Sequence, residues 1–213
     1  MRKRFKLANI TETSLTETET LKNSVFLASI ATSYLSASQN GFEKWDNTNL
    51  TYTLNKNEIS PEHDTGFIWN ENIDGAVAVV FANISDVCQL EFTHVDQDAD
   101  INFWLYHKED NILGYSYGVG GAGIFLNAAN FINTDIPTSG FDYVTIAHEV
   151  IHNLGATHPF DGYAKLPGVE RSSELGDFNF NQNIYTITSY NQTGTNSHAS
   201  IKIGPEGVTP NTS

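Results

Sequence analysis

Residues 147–158, Ala147-His-Glu-Val-Ile-His-Asn-Leu-Gly-Ala-Thr-His158, bring three potential metal ligands and one carboxylate into a short segment. An α-helix has ~3.6 residues per turn, so His148 and His152 lie one turn apart on the same face and can converge on one ion. Glu149 is rotated by ~100° from His148, which places its carboxylate beside the ion without making it a ligand. This spacing predicts a metal site on a helix, with Glu149 positioned for proton transfer.

Gly155 explains how a third ligand, His158, reaches the same ion. A helix continued past Gly155 would carry His158 too far along the axis, so the chain must leave the helix there. Glycine tolerates positive φ without a Cβ clash, and Pro159 helps to prevent the helix from resuming. Three neutral nitrogen ligands leave a position on zinc for water, as expected of a catalytic site. The alternative interpretation is a solvated helix face, because the short His-Glu-x-x-His pattern alone has many chance matches.

The composition predicts one globular domain without affinity for polyanions. The chain has 213 residues, of which 39% are hydrophobic and 17% charged, and this is enough for a sizeable core. Its formal net charge of −14 opposes attraction to nucleic acid or anionic lipid. Cys88 is the single cysteine, so no intramolecular disulfide can form, and we expect it to be a buried packing residue. No apolar run reaches the ~18 residues of a membrane span.

The first twenty residues are predicted to be a flexible leader or prosegment. Residues 1–6 are basic, but residues 7–20 are rich in Thr and Glu where a secretory signal would be apolar, so a conventional signal peptide is not expected. Residues 25–35 are apolar enough to imitate a signal core, yet Ser and Thr interrupt them, and an amphipathic helix is the favoured interpretation. Residues 21–213 are then expected to form a single domain.

The segment between residues 45 and 105 alternates between strand and helix patterns. Residues 50–54 alternate apolar and polar side chains as a strand does. Residues 67–87 carry apolar residues at mixed three- and four-residue spacings, which predicts a long helix in which Gly75 is unfavourable. Residues 90–95 and 100–105 are predicted to be two strands joined by a polar turn. This order favours an α/β-like arrangement of a sheet packed on helices.

Residues 114–127 are rich in glycine but do not fit a phosphate-binding loop. Such a loop leads into a helix and usually carries a Lys, whereas this segment leads into the apolar run 124–126, which is typical of a strand. A calcium-binding repeat also needs tandem copies with a fixed Asp, and neither is present. We therefore expect a flexible loop that feeds an edge strand.

The segment 148–158 resembles the signature of the metzincin zinc endopeptidases, His-Glu-x-x-His-x-x-Gly-x-x-His. Within that clan, Pro159 after the third histidine is similar to the serralysins, the bacterial secreted alkaline proteases. Further segments are similar in order and spacing to a serralysin catalytic domain, namely Gly41–Trp45, Leu50–Leu54, Asp100–Phe103 and Ala122–Asn127. The resemblance extends from Trp45 to Tyr190.

This resemblance implies an α+β zincin fold. The expected sheet is twisted, mixed and mostly parallel, with an edge strand over the cleft, and it packs on long helices that include the zinc-binding helix. Residues 21–158 would form an upper subdomain, and residues 159–213 a lower one that is incomplete at its C-terminus. The fold places a Met-Ser-Tyr turn beneath the zinc. Here Ser189 and Tyr190 match, but Thr188 stands where Met is expected, which puts the rigidity of the turn and the zinc affinity in doubt.

The resemblance also implies a function, a zinc metalloendopeptidase acting on protein or peptide substrates with Glu149 as general base. The Tyr190 phenol would ligate zinc at rest and swing to stabilise the oxyanion, with a plain core tyrosine as the competing interpretation. Ala122, Gly123 and Ile124 would bind the peptide by strand addition.

Further expectations concern the surroundings of the protein. Calcium is expected mainly in a C-terminal β-roll that is absent from this chain. The protein is expected to be a secreted monomer that lacks a cleaved N-terminal signal peptide. Two alternatives stay open at this point: a catalytically silent zinc-binding recognition or adhesion module, motivated by Thr188, and an intracellular metzincin from another branch.

Overall fold

A computed structural model of the chain describes residues 33–34, 41–42, 44–56, 58–63, 69, 71–129, 141–161, 165–177, 179–191, 201–202 and 209–210. Two helices are present in these ranges, α1 (Glu71–Val87) and α2 (Phe141–Asn153). The strands are β1 (Ser33–Tyr34), β2 (Gly41–Phe42), β3 (Asn49–Leu54), β4 (Glu91–His94), β5 (Ile101–Tyr106), β6 (Gly114–Ser116), β7 (Ile124–Asn127), β8 (Ile201–Lys202) and β9 (Thr209–Pro210).

The main sheet has five strands in the order β4-β3-β5-β7-β6. Neighbouring strands are parallel from β4 to β7, and only β6 runs antiparallel, to β7. The expected α+β class with a mixed, mostly parallel sheet is therefore confirmed. The expected edge strand is also present, but it is β6 at residues 114–116. The apolar run 124–126 belongs to β7, which pairs with β5 on one side and β6 on the other.

The strands β4 and β5 do not pair with each other, although their sequence spacing resembles that of a hairpin. They flank β3, where β4 pairs with its first half and β5 with its second half. Because the two are staggered along β3, the short link at residues 95–100 only has to cross that strand. Asp100 fixes the crossing, since its carboxylate accepts hydrogen bonds from Thr51 N at 2.7 Å and Thr51 Oγ1 at 2.8 Å.

Both helices contribute to one hydrophobic core on a single face of the sheet. Helix α1 buries Ile73, Val77, Val80 and Phe81, the spacing of one helical face. Phe81 stacks on Phe92 with ring centroids 4.2 Å apart, and burial of one such ring stabilises the fold by about 1.5–3 kcal/mol. The helix predicted over 67–87 is confirmed from Glu71 onward. Trp69 is not helical, and residues 67–68 and 70 lie outside the described ranges.

The opposite face of the sheet carries an aromatic cluster. Tyr115 of β6 stacks on Phe125 of β7, with ring centroids 4.8 Å apart. His63 stacks on Tyr106 at 3.8 Å and contacts the Tyr115 hydroxyl through Nε2 at 2.8 Å. Glu62 accepts hydrogen bonds from the hydroxyls of Tyr115 and Tyr117. The cluster therefore holds the edge strand β6 against the sheet.

Two further expectations concern residues 25–35 and Cys88. Most of the helix predicted over 25–35 lies outside the described residues, and its described part, Ser33–Tyr34, is a strand that pairs with β2. The prediction that Cys88 is buried is wrong. Cys88 follows the last turn of α1, is exposed, and its thiol donates to the Ile84 carbonyl at 3.1 Å. Among the described helices, none has the length and apolar character needed to cross a membrane.

Residues 159–191, which follow the segment 148–158, fold as consecutive turns in their described parts. A second hydrophobic cluster supports them, formed by Phe160, Leu166 and Val169 with Phe180 packed against it. Backbone hydrogen bonds join successive turns of this segment, for example Asn181 N to the Leu175 carbonyl at 3.1 Å. Helix α2 and these turns form two sides of the candidate site.

Candidate metal centre

Helix α2 presents one face to the core and another to the cleft. Ile146, Ala147 and Val150 are part of the main hydrophobic core, which fixes the rotation of the helix about its axis. His148 and His152 then lie on the partly exposed face, one turn apart as the sequence predicts. The helix thus positions two of the three histidines by burying the apolar residues on its opposite face.

A glycine cap ends α2 and redirects the chain. Gly155 has φ +101°, a left-handed conformation that favours glycine. Gly155 N donates to the His152 carbonyl at 3.0 Å, and Ala156 N donates to the Ile151 carbonyl at 3.1 Å. These two bonds are the pattern of a Schellman cap. The predicted break at Gly155 is confirmed, and it returns His158 to the face that carries His148 and His152.

The three histidines meet at their Nε2 atoms. The distance from His148 to His152 is 2.9 Å, and both rings lie 3.1 Å from His158 Nε2. The three residues are the group of potential metal ligands found in the described part of the chain. The other described histidines, His63, His94 and His107, do not join such a group.

The Nδ1 atoms of the three rings determine the state of the Nε2 atoms. His148 Nδ1 lies 2.9 Å from the Ile187 carbonyl and His152 Nδ1 lies 2.8 Å from the Ala156 carbonyl. His158 Nδ1 lies 2.8 Å from Asp161 Oδ2. Carbonyl and carboxylate oxygens accept, so each Nδ1 carries the proton and each neutral ring leaves a lone pair on Nε2.

Three lone pairs within about 3 Å of one another, with no proton between them, repel. Protonation does not relieve this repulsion at neutral pH. Burial and the neighbouring His152 ring lower the pKa of His148 and His158 to about 3, and burial also lowers the pKa of His152. A cation would convert the repulsion into coordination, and three imidazole nitrogens with hydrogen-bonded Nδ1 atoms suit zinc. The donor set therefore fits the metal that the sequence predicts.

Glu149 lies between α2 and the edge strand β6. Its side chain is 6% exposed, and burial raises the pKa of its carboxyl to about 8. The close approach of β6 depends on Gly114, where a Cβ would lie 2.9 Å from the Phe125 carbonyl oxygen and 3.2 Å from Glu149 Cγ. Both Glu149 and His148 line a cavity of about 440 Å³ whose wall includes Leu113, Val144 and Ile187.

The turn at residues 185–190 lies against the histidines, as the resemblance predicts. The Tyr190 hydroxyl lies 3.0 Å from His158 Nε2. The Tyr190 ring stacks on His148 with centroids 5.8 Å apart, and burial raises the pKa of its phenol to about 12. Thr188 is fully buried in the same turn. The structure thus brings Tyr190 to the three histidines.

The three residues expected to bind substrate by strand addition occupy different positions. Ala122 is exposed in the loop before β7. Gly123 lies against β5, where a Cβ would lie 2.3 Å from the Asn102 carbonyl oxygen. Ile124 is buried and pairs with Phe103 and Ser116. Strand addition at Ile124 is therefore wrong, because both of its sides are already occupied.

Several residues that shape the site were missed in the sequence. Asp161 contacts His158 and follows it by three residues, so a carboxylate at that spacing was a readable signal. Asn153 is buried at the end of α2, where its side chain donates to the Gly118 carbonyl and its own carbonyl accepts from Trp45 Nε1, both at 3.0 Å. Gly114 lies in strand β6, whereas the glycine-rich sequence predicts a loop there. The last two depend on partners remote in sequence, which no local pattern reveals.

No protein-family model matches the chain. It is similar to serralysin from Photorhabdus sp. (strain Az29), with 29% identity over 168 residues, which covers 70% of this chain. It is also similar to human neutrophil collagenase, with 29% identity over 136 residues and 57% of this chain. Both relatives are metzincin metalloproteases, and His148, His152 and His158 of this chain form a potential metal site. The chain is metzincin-like.

The metzincin-like chain spans 34% of the length of that serralysin and 27% of the length of the collagenase. The similarity is weak in sequence, but it agrees with the fold, in which a five-stranded, mostly parallel sheet packs with two helices. It also agrees with the three-histidine site at the end of α2.

Proposed function

We propose that this metzincin-like protein is a zinc-dependent endopeptidase that cleaves peptide bonds of protein substrates. The observation that carries the proposal is the convergence of three histidine Nε2 atoms on one point, since this arrangement suits a zinc ion. His148, His152 and His158 would hold the zinc. Weak similarity to two metalloproteases supports the same function.

Glu149 is proposed as the general base. When bound, zinc supplies Lewis-acid polarisation of a water and of the scissile carbonyl. Bound zinc would favour the ionised form of the buried Glu149 carboxyl, because a nearby cation offsets the effect of burial on its pKa. The carboxylate would then take a proton from the attacking water and later give it to the leaving amine. Its buried position beside His148 keeps bulk water away from that proton.

Tyr190 is proposed to stabilise the oxyanion that develops on the carbonyl oxygen. Its hydroxyl already reaches the point where the histidines converge, 3.0 Å from His158 Nε2. A hydroxyl donor fixed at this place needs little rearrangement when charge develops. The stacking of its ring on His148 limits the positions that the hydroxyl can take.

Substrate is proposed to bind along β6, since β7 is an interior strand. Strand β6 forms one edge of the described sheet and lies next to Glu149 through Gly114. An extended peptide can pair with the free side of such an edge by main-chain hydrogen bonds, which gives broad selectivity. The cavity of about 440 Å³ beside Glu149 would receive one substrate side chain.

We extend the proposal to secretion, to a monomeric catalytic domain from residue 21 onward and to residues 1–20 as a leader or prosegment. The net charge of −14 supports a protein without nucleic-acid partners.

The function is tested by replacing Glu149 with Gln, which keeps the volume and removes the base. Cleavage of a quenched casein substrate and zinc content are measured for the full chain and the variant. We expect both to hold zinc, and we expect kcat/KM of the variant to fall by about 10²–10⁴. Glu91→Gln, an exposed carboxylate on β4 at the opposite edge of the sheet, is the matched control.

Two outcomes would contradict the proposal. Equal cleavage by the parent and Glu149→Gln would remove Glu149 from the mechanism. Zinc in both proteins without hydrolysis by either would favour the catalytically silent binding module over the endopeptidase.

A further inference from the structure

The turn at residues 186–190 reaches the histidines through its main chain as well as through Tyr190. The Ile187 carbonyl accepts a hydrogen bond from His148 Nδ1 at 2.9 Å. The next residue, Thr188, donates through Oγ1 to the Thr157 carbonyl at 3.0 Å. Thr157 directly precedes His158. Two adjacent residues of the turn are thus connected to two different candidate ligands.

The direction of each hydrogen bond in this group follows from the number of hydroxyl protons. Thr188 has one hydroxyl proton, and the Thr157 carbonyl can only accept, so that proton lies between them. Thr188 Oγ1 is also 2.8 Å from Thr186 Oγ1, and Thr186 must therefore be the donor in that pair. Hydrogen bonds arranged in such a chain polarise one another and become stronger.

Because these hydrogen bonds are buried, the loss of one of them is costly. Thr188 is fully buried, so no water can replace its hydroxyl if the hydroxyl is removed. The turn is also held from below, because Ser189 Oγ donates to Asn181 Oδ1 at 2.7 Å and Asn181 Nδ2 donates to the Glu174 carbonyl at 2.7 Å. The turn is therefore fixed in place, and the hydrogen bond from Thr188 to the Thr157 carbonyl holds the segment that carries His158 against it.

We propose that Thr188 is a positioning residue for the metal site, which fixes the backbone at Thr157 and with it the direction of His158. The inference rests on the zinc-binding part of the proposed function. A methionine at this place could pack beneath the histidines but has no donor for the Thr157 carbonyl. In this chain a hydroxyl hydrogen bond takes the place of side-chain packing.

The test compares Thr188→Val, which keeps the shape and removes the hydroxyl, with Thr188→Ser, which keeps the hydroxyl. Zinc affinity of the full chain is measured by competition with a chromophoric chelator, and the visible spectrum of the Co²⁺ form reports ligand geometry. Thr53→Val is the matched control. Thr53 lies in β3 and is buried like Thr188, and its hydroxyl also donates to a main-chain carbonyl, that of Asp96, at 3.1 Å. Urea unfolding of the metal-free proteins measures the purely structural effect.

We expect Thr188→Val to bind zinc about tenfold more weakly, at the lower end of the loss seen when supporting partners of metal ligands are removed. Its Co²⁺ spectrum should shift, and Thr188→Ser should restore both properties. Thr53→Val should lower the stability of the metal-free protein without changing zinc affinity.

The inference is overturned if Thr188→Val and Thr53→Val both destabilise the metal-free protein and both keep the zinc affinity of the parent. It is also overturned if Thr188→Ser binds zinc as weakly as Thr188→Val. If the parent binds zinc but cleaves no peptide, the endopeptidase proposal is contradicted. The proposed role of Thr188 in zinc binding would not be affected by that result.

Discussion

Asp161 is expected to strengthen zinc binding through its contact with His158. Its Oδ2 accepts from His158 Nδ1 at 2.8 Å, which fixes the tautomer and the ring orientation that direct Nε2 to the ion. The substitution Asp161→Ala removes the acceptor, whereas Asp161→Asn keeps an acceptor oxygen and removes only the charge. The two variants therefore separate ring orientation from electrostatics.

The magnitude follows from the exposure of the pair. A hydrogen bond to a charged group contributes about 1.5–3 kcal/mol, but the Asp161 side chain is 56% exposed and solvent screens its charge. We therefore expect about 1 kcal/mol for Asp161→Ala, which corresponds to about fivefold weaker zinc binding. For Asp161→Asn we expect about a twofold loss, since the remaining amide oxygen is a weaker acceptor than a carboxylate.

Zinc affinity of both variants is measured by chelator competition at fixed pH and salt. Glu109→Gln is the matched control, because His107 Nε2 lies 3.0 Å from Glu109 Oε1 and neither residue is part of the metal site. The control should keep the affinity of the parent. If Asp161→Ala bound zinc as tightly as the parent, the contact with His158 would contribute nothing to the site and the reasoning would be refuted.

The remaining predictions concern stability and the site. Gly75→Ala should stabilise the protein by about 0.5–1 kcal/mol in urea unfolding, because a Cβ there meets nothing within 4 Å on the exposed face of α1, whereas Gly123→Ala, at φ +127°, should destabilise it. Gly114→Ala should lower both kcat/KM and stability, the latter by about 1–3 kcal/mol, because its Cβ would meet Glu149; unchanged values for Gly114→Ala would contradict the close packing. Zinc at 100 times its Kd should stabilise the chelator-treated protein by about 2.7 kcal/mol, raising Tm by about 5–10 °C, and a thermal scan without a shift would contradict a native zinc site.

Local patterns predicted the parts of the molecule whose contacts are local. The ligand spacing from His148 to His158 and the positive φ required at Gly155 depend on the geometry of one helix and its cap, and both are confirmed. Helix α1 was predicted for the same reason, since its buried face repeats at helical spacing. The mixed, mostly parallel sheet followed from the resemblance to metzincins, whereas the number and order of its strands were not predicted.

The missed features depend on pairing between distant segments. Residues 124–126 are buried on both faces of the sheet, and a short apolar run does not reveal whether its strand lies at an edge or inside. The real edge, β6, lies in a glycine-rich segment that local propensity assigns to a loop. Cys88 was predicted to be buried from residue type alone, but it follows the end of α1, where the core no longer covers it.

The capping turn of α2 has a consequence for the order in which the protein folds. It gathers the candidate ligands from positions at most 10 residues apart, whereas the contact of Trp45 with Asn153 joins residues 108 apart. Closing the shorter loop costs about 2 kcal/mol less chain entropy. An ion that binds the three histidines early would therefore stabilise α2 before the N-terminal part of the sheet packs against it. Refolding in the presence of zinc should then be faster as well as more complete.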